Sequence, residues 1–301
     1  MIMSDEVSAA PPLVSLDLES KTRAIMRKGS KTFALASLFF DKDSREGAQL
    51  LYTWCRACDD AVDNEPDIEK ARQKLDELKA STHNVFLGST TPLREKDLTF
   101  TAFELLSRKH GIKQVHAQAL LDGMSMDVEG AHIRTNEDLE LYCYRVAGVV
   151  GLMMSKVMGV THPLAARHAV DTGLAMQMTN ISRDMREDFE RQRIYIPDTW
   201  FIESERPAFN LRFQPEQFRA HAHQLVSEAE LLYKSGIQGL KYLPFRAALA
   251  VACAQAFYRE IGRKVVARGN SAWDTRTIVS LPRKMWLMVI AVANVARSRF
   301  T

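Results

Sequence analysis

No run of alternating β-branched residues long enough to build a sheet occurs anywhere in this chain, and that absence constrains its fold more than any other feature. Segments rich in Ala, Leu, Met, Glu, Lys and Arg, all good helix formers, fill the space between short breaks. NEPD (64–67), GSTTPL (88–93), GVTHPL (159–164) and ERPAFN (205–210) are such breaks. The pattern predicts helices over 20–29, 30–39, 43–63, 67–83, 96–110, 112–129, 136–158, 163–190, 214–233, 242–267 and 279–297. Helices of this length joined by loops this short become antiparallel neighbours, so the expected fold class is all-α, a helical bundle. No shift of composition and no repeat divides the chain. One domain over 20–301 is expected, behind a loose tail at 1–19 that carries an Ala-Pro-Pro run.

Bulk charge excludes one class of partner. With 40 basic against 37 acidic side chains in 301 residues, the net charge is only +3, too small and dispersed to mark a nucleic-acid binder. Cys55, Cys58, Cys143 and Cys253 read as reduced thiols in a cytoplasmic setting. Cys55 and Cys58 form a Cys-x-x-Cys pair, but no second pair follows at ligand spacing, and both fall on an apolar helix face. They read as core residues, not zinc ligands. His221 and His223 read as surface histidines. The N-terminus carries early acids and no apolar stretch, so it is not a secretory signal. MWLMVIAVANVA (285–296) falls well short of the roughly 20 residues a membrane span needs, so a cytoplasmic chain that does not cross a bilayer is expected, with peripheral contact at the inner face of the membrane left open.

Polar residues then appear where packing calls for apolar ones. In QMTNISRDMREDF (177–189), Gln177, Asn180, Asp184 and Asp188 fall within about 80° of helical arc, beside Leu174, Met178, Ile181 and Met185. In YTWCRACDDAVD (52–63), Tyr52, Arg56, Asp59 and Asp63 share an arc of about 60°, bordered by Leu51, Cys55, Cys58 and Val62. A single DxxxD pair is usually a solvated face. Two pairs at the edge of a core are costly unless something cationic lies between them. Oxygen-only ligands favour magnesium, with manganese as the alternative, over zinc. Magnesium keeps few protein carboxylates and fills its shell with water and substrate phosphates. Arg56, Arg183 and Arg193 complete charge neutralisation of a diphosphate. An apolar interior beside two such clusters suits a diphosphate head with a hydrocarbon tail.

GSKTFALA (29–36), YTWCRACDDAVD, YCYRVAGVVG (142–151) and QMTNISRDMREDFERQRIYIP (177–197), in this order and separation, resemble the phytoene/squalene synthase family, its bacterial phytoene synthases above all. The resemblance covers roughly residues 20 to 285. It implies the all-α isoprenoid synthase bundle with a central cavity. It implies a prenyl transfer joining two geranylgeranyl diphosphates head to head through prephytoene diphosphate to phytoene. Asp59, Asp63, Asp184 and Asp188, with Asn180, are then magnesium or manganese ligands; Asp60 is rotated off the stripe. Ser30, Lys31, Thr32, Arg56, Gln177, Arg183 and Arg276 become diphosphate contacts, and Phe33 a cavity wall. Tyr52, Tyr195 and Tyr258 orient phosphate oxygens or shield a carbocation. Val146, Ala147, Val150, Gly151 and Met154 become a wall for the isoprenoid tail. Glycines inside that helix fit close helix packing equally well on residue grounds, and the resemblance favours the tail wall. No nicotinamide cofactor is expected, on resemblance alone.

Three rival readings follow from the same residues. A cyclase or head-to-tail prenyltransferase uses aspartates and magnesium too, but DMRED fits neither the NSE-type motif nor a second DDxxD. A squalene-type enzyme would reduce its intermediate. A non-catalytic helical binding factor would have lost metal carboxylates, and all four are here.

Overall fold

The computed structural model describes residues 16–63, 65–87, 97–202 and 212–299. Among them every regular element is helical. In chain order these are α1 (Leu16–Gly29), α2 (Lys31–Ala36), α3 (Lys42–Asp63), α4 (Ile68–Phe86), α5 (Leu98–His110) and α6 (Gln114–Val128). There follow α7 (Asn136–Cys143), α8 (Val149–Val157), α9 (Pro163–Glu190), α10 (Pro215–Gln238), α11 (Phe245–Arg268) and α12 (Leu281–Arg297). The all-α expectation holds.

Local signals set the boundaries. Asp67 starts α4 by accepting from the amides of Glu69 and Lys70, and Thr135 caps α7 reciprocally with Asp138. Gly111 ends α5 with φ 64°. Several expected boundaries differ: α4 runs three residues and α10 five residues past the expected ends at 83 and 233, and α11 starts three residues after the expected 242. The first helix begins at Leu16 and not at residue 20; the remainder of the expected tail lies outside the described residues. The helix expected over 30–39 is α2 plus a 3-10 turn at Ser37–Phe39, and Ser30 is its extended N-cap, accepting from the Phe33 amide at 3.2 Å. The helix expected over 136–158 contains a π-helical turn at Tyr144–Gly148 between α7 and α8.

Two apolar clusters form the core. In one, α3, α4, α5 and α6 close around fully buried Trp54, stacked on Phe103 at 4.0 Å. In the other, α9, α10, α11 and α12 bury Phe218, Tyr233 and Phe257. Tyr144, Val146 and Met154 pack against both clusters, so the π turn and α8 form the seam. Close approach along this seam explains its glycines. A Cβ on Gly173 would stand 2.4 Å from the Ala147 carbonyl oxygen, and one on Gly151 2.3 Å from that of Ala169. Packing of α8 on α9 therefore requires Gly151, whatever else it lines.

Candidate active site

A cavity of about 940 Å³ runs between the clusters. Its wall gathers residues widely separated in sequence: Ser30, Lys31, Thr32 and Phe33 from the start of α2, and Tyr52, Arg56, Asp59 and Asp63 from α3. Val146, Ala147, Val150, Gly151 and Met154 come from the seam, and Gln177, Asn180, Arg183, Asp184 and Asp188 from α9. Tyr195, Tyr258 and Arg276 complete it. The two aspartate pairs thus meet at one cavity. Asp60 does not line it; Arg56 Nε donates to Asp60 at 3.1 Å and its Nη1 reaches Asp59 at 3.5 Å.

The chain beyond α9 shapes the mouth. Gln192 takes φ 60°, a left-handed conformation that costs a non-glycine residue roughly 1 kcal/mol. The reversal returns the Arg193 amide to the Asp188 carbonyl at 2.9 Å and aims two neighbouring arginines at α3. Arg193 Nη1 lies 2.6 Å from Asp63 Oδ1 and Arg191 Nη1 2.9 Å from Asp63 Oδ2. Asp184 is held in the same manner. Arg183 chelates it with both Nε, at 2.8 Å, and Nη2, while Arg276 Nη2 approaches to 3.4 Å and uses Nη1 on Glu187.

Asp59 and Asp188 have weaker answers to their charge. Burial first, then the Asp63 charge, pushes the Asp59 carboxyl up to about 6. Burial, with Asp184 and Asp127 behind it, holds the Asp188 carboxyl well above the usual range. Asp127, on α6, is likewise pushed up to about 6 by burial, against the pull of Arg193 and a hydrogen bond from Tyr195. Tyr195 Oη donates to it at 2.6 Å and Tyr142 Oη at 3.2 Å, and the two tyrosine rings stack 4.5 Å apart. Arg193 is lowered by burial but raised further by Tyr195, Asp127 and Asp63, so it stays charged.

This donor set suits a hard divalent cation. It offers oxygens only. Asn180 Oδ1 is buried without a hydrogen-bond partner, while its Nδ2 donates to Gln177 Oε1 at 3.3 Å. Among the described residues no three His, Cys, Asp or Glu side chains converge tightly enough to enclose a metal unaided. Magnesium that shares its shell with water and phosphate oxygens needs no such cage.

Below the carboxylates the cavity turns apolar. Phe33 stands 5.6 Å from the Tyr258 ring and 6.4 Å from that of Tyr52, an aromatic collar. Along α9 the lining extends from Asp188 back to Ala165, roughly 35 Å at 1.5 Å per residue.

A model of the squalene/phytoene synthase family matches residues 26–284. The chain belongs to the squalene/phytoene synthase family. It is 40 % identical over 287 residues to a 15-cis-phytoene synthase of Enterobacter agglomerans, covering 91 % of this chain and 95 % of that one. A 15-cis-phytoene synthase of a Paracoccus strain is 34 % identical over 94 % of this chain and 93 % of its own. The crystal structure of a dehydrosqualene synthase with a bound ligand superposes with a TM-score of 0.82 at 26 % identity, over 93 % of this chain and 97 % of that one. Squalene synthase HpnC of Alicyclobacillus acidocaldarius shares the fold, at TM-score 0.71 and 21 % identity over 85 % and 97 % of the two chains.

Within this squalene/phytoene synthase chain, sequence reading missed Asp127, Tyr142, Arg191 and Lys284, all on the cavity wall. Asp127 had left a trace, because Leu120, Met124 and Val128 place it at the edge of an apolar face. Lys284 directly precedes the apolar C-terminal stretch. Its Nζ donates to Thr32 Oγ1 at 3.1 Å, and burial, then Lys31, lowers its pKa.

Proposed function

We propose that this chain is a phytoene-forming prenyltransferase of carotenoid biosynthesis, condensing two geranylgeranyl diphosphates 1-1′ through prephytoene diphosphate with release of both diphosphates. One observation carries the reading: two aspartate-bearing helices, α3 and α9, meet at the polar end of a cavity whose apolar part follows α9 for most of its length. The bacterial relatives at 34–40 % identity support the choice of substrate.

Asp59, Asp63, Asp184 and Asp188, with Asn180, would hold magnesium, or manganese in its place. Bound there, the cation supplies Lewis-acid stabilisation of the departing diphosphate's charge. The chain's own groups do the rest. Arg191 and Arg193 pair with Asp63, and Arg183 and Arg276 pair with Asp184. On substrate binding these guanidinium groups turn to phosphate oxygens, with Lys31 and Lys284 on the α2 side. Ring faces of Phe33, Tyr52 and Tyr258 shield the allylic cation left behind. The seam of α8 and α9 holds the tails extended and keeps water from the cation. Asp127 fixes the Tyr142–Tyr195 pair at the mouth. Peripheral membrane contact is part of the same reading, since the product is a hydrocarbon.

Incubation of the purified protein with geranylgeranyl diphosphate and magnesium, without nicotinamide, tests it. Phytoene in the organic extract is expected. A cyclic terpene, or a product formed only with a reductant, would overturn the assignment.

A further inference from the structure

Among the described residues, the largest concentration of exposed large apolar side chains lies on α12. Leu281, Met285, Trp286, Val289, Ile290 and Val292 are 38 to 63 % exposed, whereas Leu287, Ala291 and Val295 of the same helix are buried. At 100° per residue the exposed set spans about 180° of arc and the buried set sits opposite it. The buried side packs on α11. The outer half of α12 therefore faces away from the bundle as a continuous apolar surface that includes an exposed tryptophan. A helix in a soluble bundle normally turns polar residues outward.

Charge distribution indicates what covers it. From Thr275 to the end of the chain there are Arg276, Arg283, Lys284, Arg297 and Arg299, and no acidic residue. Arg276 and Arg283 are paired with acids, on Glu187 and Glu260. At the other end of α12, Arg299 donates to the carbonyls of Lys241 and Leu243, and nearby Arg246 to those of Phe39 and Phe40. The acceptors of Arg299 are neutral and leave its positive charge standing, while Arg246 also lies near the Asp41 carboxylate, whose pKa it helps lower after the Ser44 hydrogen bonds. Phe245, immediately before Arg246, is 56 % exposed. An apolar face with a tryptophan, rimmed by arginine and lysine, matches an anionic lipid surface in both hydrophobicity and charge. Its 17 residues span about 25 Å, and among the described residues no helix is long and apolar enough to cross a membrane, so α12 would lie flat.

The cavity reaches the same place. Thr277, Ile278, Val279 and Lys284, at the entry to α12, line it. Ile278 does so while 68 % exposed, so the wall there is one side chain thick.

We propose that the outer face of α12 is the surface by which this protein rests on an anionic bilayer, and that the cavity opens beside Ile278 toward that bilayer. The docking surface stands independently of the substrate assignment; the use of the opening as a route for the hydrocarbon product rests on the proposed function.

Flotation of the full chain with vesicles, in the absence of substrate, tests the surface. The wild type should partition to phosphatidylglycerol-containing vesicles at least tenfold better than a Trp286→Asp/Val289→Asp variant, and better than to pure phosphatidylcholine. Emission from Trp286 should shift to shorter wavelength on binding. Both substitutions lie on exposed positions, so circular dichroism and detergent-dispersed turnover should change less than twofold. Equal flotation of wild type and variant would overturn the proposal. So would a wild type that ignores both vesicle types, including one that instead forms a dimer split by the same substitutions. A protein that binds vesicles but yields another product would sink the substrate assignment and leave this surface intact.

Discussion

Asp127→Asn is the most informative single perturbation of the mouth. Asp127 begins from an ordinary 3.8 and is pushed up to about 6 by burial, with Asp63 adding to it. A shift of about two units corresponds to about 3 kcal/mol. The sign follows from which state takes up protons. Well below pH 3.8 the carboxyl is protonated in both states and contributes nothing. As pH rises, the unfolded chain ionises first while the native site resists until about 6, so native stability falls across that window and levels off above it. Between pH 4.5 and 7.5 this one group removes about 2 kcal/mol from the wild type. The asparagine variant lacks that slope. It also gives up one of the two tyrosine hydrogen bonds, a pH-independent loss of about 1–2 kcal/mol, because the amide oxygen replaces two carboxylate oxygens. Urea midpoints of both proteins, without magnesium, at several pH values in this range provide the test. The wild type should lead at pH 4.5 and lose that lead by pH 7.5. A gap that stays constant with pH would refute the reasoning, because the carboxylate would then not be destabilised by its burial.

Asp59→Ala and Asp184→Ala should each lower turnover at least a hundredfold with an unchanged far-ultraviolet spectrum; retained turnover in either would remove that residue from the cation-binding set. Because Asp59 must lose a proton held up to about 6 before it can take a cation, kcat/KM at limiting magnesium should fall about tenfold per pH unit below that value. A profile flat to pH 5 would contradict this. Gly173→Ala should lower the melting temperature by several degrees. Its methyl would meet the Ala147 backbone at 2.4 Å, and about 1–3 kcal/mol of overpacking exceeds the gain of about 1 kcal/mol in helix propensity. An unchanged melting temperature would mean the seam is looser than described.

Much of this was legible in the sequence because it depends on periodicity. Two aspartate stripes at 3.6-residue spacing announce both their helices and the face each presents, and both line the cavity. What escaped depends on distance in space. Asp127 carries no repeat of its own; its meaning comes from Tyr142 and Tyr195, 15 and 68 residues away. The π turn at Tyr144–Gly148 shifts the register by a single residue, too little to disturb an apolar pattern read over two turns. Gly151 had two explanations, and only the facing carbonyl of Ala169 reveals that backbone contact requires it. Arg191 joins the expected Arg193 at the mouth because Gln192 reverses the chain, a conformation that a glutamine does not advertise.

Opposed carboxylates that share cations with a diphosphate are the core of the account. A crystal grown with manganese and a non-reactive thio-analogue of geranylgeranyl diphosphate, measured for anomalous scattering, examines them directly. Manganese peaks should appear beside both Asp59–Asp63 and Asp184–Asp188, bridged by the diphosphate, with the tail running along α9 toward Ala165. Manganese absent from either pair, or a diphosphate bound away from both, would contradict it.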